Sequence, residues 1–285
     1  MNAGRYAAAL SWATRFAMRR YSFLFILFSF LAAPVMAAET PWQSVAPGVS
    51  MRLVSAGVVK ADGTALLGVE LDMPADTKTY WRTPGETGLP TELDFSGSTG
   101  IASSQILWPY PQRDHDERYA DYVYYGPTLL PIELKLDAAT AQIELSIVMG
   151  VCSEICVPAQ ARFSLPVDGL KDMPNGVRIR QAVALAPIPW EDDPQPIGTV
   201  EYRADEQALA VWLSAPDIDP ESLIAVTADG AALFGVPQKS PEPNLVLIPV
   251  LGKTAEIDLE SRSVQLTFTT AMGAYEVTRS VETAD

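Results

Sequence analysis

Apolar and polar residues alternate with a period of two along much of this 285-residue chain, most cleanly in Ile132-Glu133-Leu134-Lys135-Leu136 and Ile143-Glu144-Leu145-Ser146-Ile147. That period puts successive side chains on opposite faces of a strand and cannot make the 3.6-residue stripe of an amphipathic helix. Runs at Met51 to Ser55, Thr64 to Leu71, Thr91 to Phe95, Ile101 to Trp108 and Arg162 to Val167 repeat the pattern. Asp62-Gly63, Gly97 to Gly100 and Pro109-Tyr110-Pro111 punctuate it with turn-forming residues. A second series follows at Val200 to Tyr202, Ala208 to Leu213, Leu223 to Thr227, Ala232 to Phe234, Leu245 to Val250, Val264 to Thr269 and Tyr275 to Val281. The turn spacing is that of all-β sandwiches. One short helix is expected within Asn175 to Ala186. Pro187, Pro189, Pro194 and Pro196, crowded around Trp190-Glu191-Asp192-Asp193, read as a stiff, acidic linker.

The length suits two domains once a leader is set aside. Arg15, Arg19 and Arg20 precede the apolar run Phe23 to Leu31, and Val35-Met36-Ala37 places small residues where a signal peptidase reads. Cleavage is expected after Ala37, with export to an oxidising compartment. The run is short for a membrane anchor, and Met18 before and Tyr21-Ser22 after Arg19-Arg20 make a poor twin-arginine signal. The expected division is 1–37 signal peptide, 38–170 first domain, 171–196 short helix and linker, and 197–285 second domain. Losing the four leader arginines takes the formal charge from −15 to −19. Such an acidic surface repels phosphate backbones and anionic lipid, so no nucleic-acid partner is expected.

Both cysteines lie in Val148-Met149-Gly150-Val151-Cys152-Ser153-Glu154-Ile155-Cys156-Val157-Pro158. In the chain-entropy model a bond across so short a loop stabilises by only about 2 kcal/mol, against about 4.7 for a loop of 100 residues. A close pair suits opening and closing instead, because an attacking thiolate and its resolving partner must be neighbours. Three other readings stay open: an inert bridge at a hairpin end, two buried thiols, and a Cu(I) site built from Met149, Cys152 and Cys156. Zinc is disfavoured, since the chain has two Cys and a single distant His115. The flanking Gly150 and Pro158 argue for two antiparallel strands joined by a turn, which puts the pair at a sheet end within reach of another protein.

Two further stretches bear on the site. Thr79 to Pro90 is a Gly/Pro-punctuated loop leaving an aromatic strand end, the kind of segment that carries function on a rigid scaffold. Gln112 to Arg118 holds His115 and is expected as a solvated loop. Tyr119, Tyr122, Tyr124 and Tyr125 follow it, suited either to packing against a redox pair or to ordinary strand packing. There is no Walker loop, no G-x-G-x-x-G after a strand, no H-E-x-x-H and no nucleophile elbow. No cofactor is implied.

Tyr80-Trp81-Arg82-Thr83-Pro84-Gly85-Glu86-Thr87-Gly88-Leu89-Pro90, Ile106-Leu107-Trp108-Pro109 and Val151-Cys152-Ser153-Glu154-Ile155-Cys156-Val157-Pro158-Ala159 resemble the amino-terminal periplasmic domain of the DsbD family, closest to its ScsB branch, the suppressor-of-copper-sensitivity proteins. The resemblance is specific from Thr79 to Val167. It implies an immunoglobulin-like β-sandwich, and the expectation for the whole chain is all-β, two immunoglobulin-like β-sandwich domains after a cleaved signal peptide. It also implies thiol-disulfide interchange, with Cys156 engaging the downstream substrate, Cys152 resolving, and the Trp81 to Pro90 loop at the rim. It implies a periplasmic location, with periplasmic thioredoxin-like disulfide proteins as partners and a membrane electron-transfer protein as donor. The C-x3-C spacing matches the ScsB branch and differs from the C-x5-C of DsbD itself. Because the sequence runs to Asp285 without a membrane or thioredoxin-like domain, the donor is expected to be a separate polypeptide.

Overall fold

Asp62-Gly63 does turn the chain. The Asp62 carboxylate accepts from the Thr64 N–H at 3.0 Å, and Gly63 takes φ +80°, a left-handed conformation that glycine adopts without strain. The computed structural model describes residues 38–115, 119–169, 174–251, 259 and 262–283. The expected leader, residues 1–37, lies outside them.

The strands of the first half are β1 (Gln43–Ala46), β2 (Val49–Val59), β3 (Thr64–Asp72), β4 (Lys78–Tyr80), β5 (Glu92–Asp94) and β6 (Ile101–Ile106). They continue with β7 (Gln112–His115), β8 (Ala120–Tyr125), β9 (Thr128–Leu136), β10 (Ala141–Cys152) and β11 (Cys156–Val167). One sheet has the order β1-β2-β3-β9-β6; the other runs β11-β10-β4-β8-β7, with β5 also paired to β10. Alternation buries one face of each: Met51, Leu53, Leu67 and Leu134 meet Ile143, Leu145, Ile147 and Met149 in a shared core around Trp81. Each such aliphatic side chain contributes roughly 1.5–3 kcal/mol by leaving water.

Helix α1 (Asn175–Val183) lies on the first sheet through Ile179, which packs with Val54 and Ala56. Arg178 is paired with Glu70. The second half comprises β12 (Ile188–Pro189), β13 (Ile197–Arg203), β14 (Ala208–Leu213), β15 (Ile224–Thr227), β16 (Gln238–Lys239), β17 (Leu245–Pro249), β18 (Ser263–Thr270), β19 (Gly273–Ser280) and β20 (Glu282–Thr283). Its sheets run β12-β19-β18-β15 and β16-β17-β14-β13-β20. They enclose a separate core that includes Leu209, Val211, Ile248, Leu266 and Phe268.

The halves meet at β15. Ile224 and Val226 belong to the first core, while Ala225 between them belongs to the second. Arg113 reinforces the contact by donating to the carbonyls of Glu221 at 2.8 Å and Leu223 at 2.6 Å, and the Tyr110 hydroxyl donates to the Ser222 carbonyl.

The chain is all-β apart from this helix and a single 3-10 turn at Pro220–Ser222, among the described residues. Three local readings differ. Gln112 to His115 is an edge strand rather than a solvated loop, because Lys78 and the carbonyls of the second half supply partners for Asp114 and Arg113; residues 116–118 lie outside the described residues. Ala232 to Phe234 forms only an isolated bridge, Phe234 to Val250. Inside the Pro-rich segment, Ile188–Pro189 runs parallel to β19, and Trp190 packs edge-on against Tyr275 at 5.0 Å.

Candidate functional site

β10 and β11 form one long hairpin in register from Ala141 opposite Val167 to Cys152 opposite Cys156. Ser153, Glu154 and Ile155 make the connection. Cys152 and Cys156 are joined by a disulfide across this end of the sheet. Strand alternation decides where each sulfur points. The odd-numbered residues of β10, including Met149 and Val151, enter the core, so Cys152 emerges on the outer face, where it packs with Tyr80 and Val123. Cys152 is 1% exposed, whereas Cys156 at the start of the edge strand is exposed.

β4 supplies the other wall. Its register sets Lys78 opposite Cys152 on one side and opposite Tyr125 on the other, so Cys156, Cys152, Lys78 and Tyr125 form one row across the sheet. Tyr80, two residues along the same face, brings its hydroxyl to 2.8 Å from Cys152 Sγ and 3.6 Å from Cys156 Sγ. Burial pushes the Tyr80 phenol above its ordinary range, so it stays protonated and serves as a donor to sulfur. Burial alone would lower Lys78, but the hydrogen bond and charge of Asp114 outweigh it, and the ammonium is held above its ordinary value. Lys78 pairs with Asp114, lies 3.7 Å from the fully buried carboxylate of Asp121, and stands 5.7 Å from the centre of the Tyr80 ring. A hydroxyl donor beside a sulfur favours its thiolate, whereas the Lys78 charge is already met by Asp114 and Asp121.

The loop between β4 and β5 closes over this wall. β10 pairs with β4 at Val151 and Cys152 and with β5 at Ser146 to Val148, and the loop rises from the gap between. A Cβ on Gly150 would come within 2.9 Å of Leu89 Cβ and of the Tyr80 ring, and one on Gly88 within 2.5 Å of that ring. The two glycines thus grip Tyr80 between strand and loop. Thr87 fastens the loop from below, its N–H donating to Asp121 at 3.1 Å and its hydroxyl to the same carboxylate.

The structure brings Cys152 and Cys156 together with the Thr79 to Pro90 segment. It does not bring Met149 to them: the Met149 side chain is fully buried on the opposite face, with its sulfur 3.7 Å from the Thr79 hydroxyl. Among the described residues no group of three His, Cys, Asp or Glu side chains gathers. Of the later tyrosines, Tyr122 packs edge-on against Trp81 in the core and Tyr124 donates to the Pro109 carbonyl at 2.6 Å. Tyr125 stands in the row and donates to Asp114 at 3.0 Å, and Tyr119 is hydrogen-bonded to the same carboxylate. His115 is exposed at the end of β7. Lys78, Asp114 and Asp121 carry no signal in the sequence, since register alone assembles them. Tyr80 had one in its position at the end of an aromatic strand.

Residues 51–168 match the family model described as thiol:disulfide interchange protein DsbD, N-terminal. No curated protein sequence matches the chain significantly. Among solved structures, the N-terminal periplasmic domain of ScsB from Proteus mirabilis superposes with a TM-score of 0.66 at 21% identity, covering 87% of this chain and 99% of that one. A marsupial T cell receptor is 11% identical over 83% of this chain and 98% of its own, with a TM-score of 0.18. The ScsB match shows a common fold through both halves, and the segment that carries Cys152 and Cys156 lies within the residues matched by the amino-terminal domain model of the DsbD family.

Proposed function

We propose that the chain is a periplasmic thiol-disulfide exchange protein of the protein-disulfide reductase type. It passes electrons through Cys152 and Cys156 from a membrane electron-transfer protein to thioredoxin-like disulfide proteins. The observation that carries this reading is the asymmetry of the pair: an exposed Cys156 bonded to a buried Cys152 whose sulfur is hydrogen-bonded by Tyr80.

A donor thiolate reaches Cys156 Sγ from solvent and attacks it. The Cys152–Cys156 bond breaks, and its electron pair leaves on Cys152 Sγ as thiolate, stabilised by the Tyr80 hydroxyl. The donor's second thiolate then attacks the donor sulfur of the mixed disulfide. Cys156 is freed as thiolate and the donor leaves oxidised. In the second half-reaction Cys156 attacks a partner disulfide, and Cys152 attacks Cys156 Sγ to release the partner as a dithiol. Two electrons pass in each half-reaction and the intramolecular bond is restored.

Residues 38–170 and 197–285 are read as two immunoglobulin-like sandwiches joined through 171–196. The leader at 1–37 is read as cleaved near Ala37 on export. The arginines and apolar run of that leader support export, and the ScsB-like fold through both halves supports the two sandwiches.

The test is trapping. Cys152→Ser, mixed with an oxidised thioredoxin-like protein of the periplasm, is expected to hold a mixed disulfide through Cys156 that Cys156→Ser does not form. Absence of any such adduct, or reduction of the partner by a protein lacking both cysteines, overturns the reading.

A further inference from the structure

The second half has no cysteine or histidine of its own, yet one of its contacts falls at the root of the rim loop. Arg82 stands two residues after Tyr80, where β4 ends and the rim loop begins. Its Nη2 donates to Glu276 Oε2 at 2.9 Å and to the Thr267 hydroxyl at 3.2 Å. Glu276 and Thr267 are register partners on β19 and β18, so one guanidinium bridges two adjacent strands of the second half. The same guanidinium lies 4.3 Å from the centre of the Trp81 ring, a stacking geometry that favours a cation. Three consecutive residues therefore connect the second half to sulfur: Arg82 on Glu276, Trp81 in the core, and Tyr80 on Cys152 Sγ.

The contact is a tether rather than a packed seam. Beside Arg82 and Thr83 lies a cleft of about 280 Å³, walled by Val226, Thr227, Gln265 and Thr278. The loop has room on that side, and the charged side chain spans it. At its far end the loop is already fixed by β5 on β10, and in the middle by Thr87 on Asp121. At the end nearest Tyr80 the backbone of Trp81 and Pro84 is bonded to Tyr122 at 2.9 and 3.2 Å, and Arg82 adds the link to the second half.

We infer that Arg82, gripped by Glu276 and Thr267, is a positioning residue through which the second half holds the rim loop and Tyr80 against Cys152, keeping the resolving sulfur covered while Cys156 stays open. The second half thereby acts on the order of attack. With the tether in place an incoming thiolate meets only Cys156, and the mixed disulfide forms on the sulfur that Cys152 can resolve. With the tether cut, the loop opens more often, and reagents reach Cys152 as well.

The experiment uses the full chain, reduced, and follows alkylation of each cysteine by iodoacetamide with peptide mass spectrometry. In the unaltered protein Cys156 is modified first and Cys152 lags. Arg82→Gln and Glu276→Gln are each expected to speed alkylation of Cys152 by about tenfold, the factor for losing one charge-assisted hydrogen bond, and to leave Cys156 unchanged. Both changes cut one contact, so the double variant is expected to match the larger single effect rather than their product. Unchanged Cys152 reactivity in a natively folded Glu276→Gln protein overturns the assignment, as does multiplication of the two effects, or equal acceleration of both cysteines. The role of Arg82 presupposes that the pair exchanges. Alkylation needs no partner protein, however, so a lost tether effect and a failure to trap a partner are separate outcomes.

Discussion

Tyr80 is the residue on which the chemistry of the buried sulfur turns. Its ring is fixed between Gly88 and Gly150, and its hydroxyl stays protonated and reaches Cys152 Sγ at 2.8 Å. Tyr80→Phe keeps the ring and removes the donor. Cys152 then becomes a poorer leaving group, and opening of the disulfide by dithiothreitol is expected to slow by about tenfold, the worth of a hydrogen bond to a charged atom. In the Cys156→Ser background the same change is expected to raise the thiol pKa of Cys152, read from its ultraviolet thiolate absorbance against pH. A rate and a titration identical to those of the tyrosine protein would remove Tyr80 from the mechanism. The sequence displayed the two cysteines and the aromatic strand end. The hydrogen bond between them spans 72 positions of chain and follows from the pairing of β4 with β10, which no local pattern encodes.

At the level of elements, the hairpin β10–β11 was the most legible part of the molecule. Its alternation matches one buried and one more open face from Ala141 to Val148 and from Pro158 to Val167, while the last four residues of β10, Met149 to Cys152, are buried on both faces. Legibility failed where that rule does not apply. β7 alternates among polar residues only, and its partners come from Lys78 and from the second half. β12, β16 and β20 are two residues long, too short to show a period. Gly150 is a place where element and site constrain each other, for it leaves the space in which Leu89 and Tyr80 sit. Gly150→Ala is expected to destabilise the protein by about 1–3 kcal/mol, as overpacking does, measured by urea unfolding. A loss below that range would mean that the loop yields freely and does not cover the strand.

For the whole molecule, β15 joins two cores, with Ile224 and Val226 on one side and Ala225 on the other. Truncating Ile224, which is 2% exposed, removes a side chain from the junction itself. Ile224→Ala is expected to cost about 2–5 kcal/mol. It should also lower hydrogen-exchange protection by the same factor in peptides from β10 and from β18, because one opening event exposes both. Protection lost from β18 alone would show that the halves open independently.

The edge strand β11 has one more property. Its even-numbered residues turn their backbone groups away from β10: the Arg162 carbonyl is met from outside by the Gln43 side chain at 2.7 Å, and Pro158 and Pro166 occupy positions of the same parity. Neither proline has an N–H to offer. A neighbouring chain that tried to zip onto this border would find two donors missing and one acceptor already taken. The strand that begins with Cys156 is in this way protected against fibrillar growth, while the cysteine itself stays approachable from the face of the sheet.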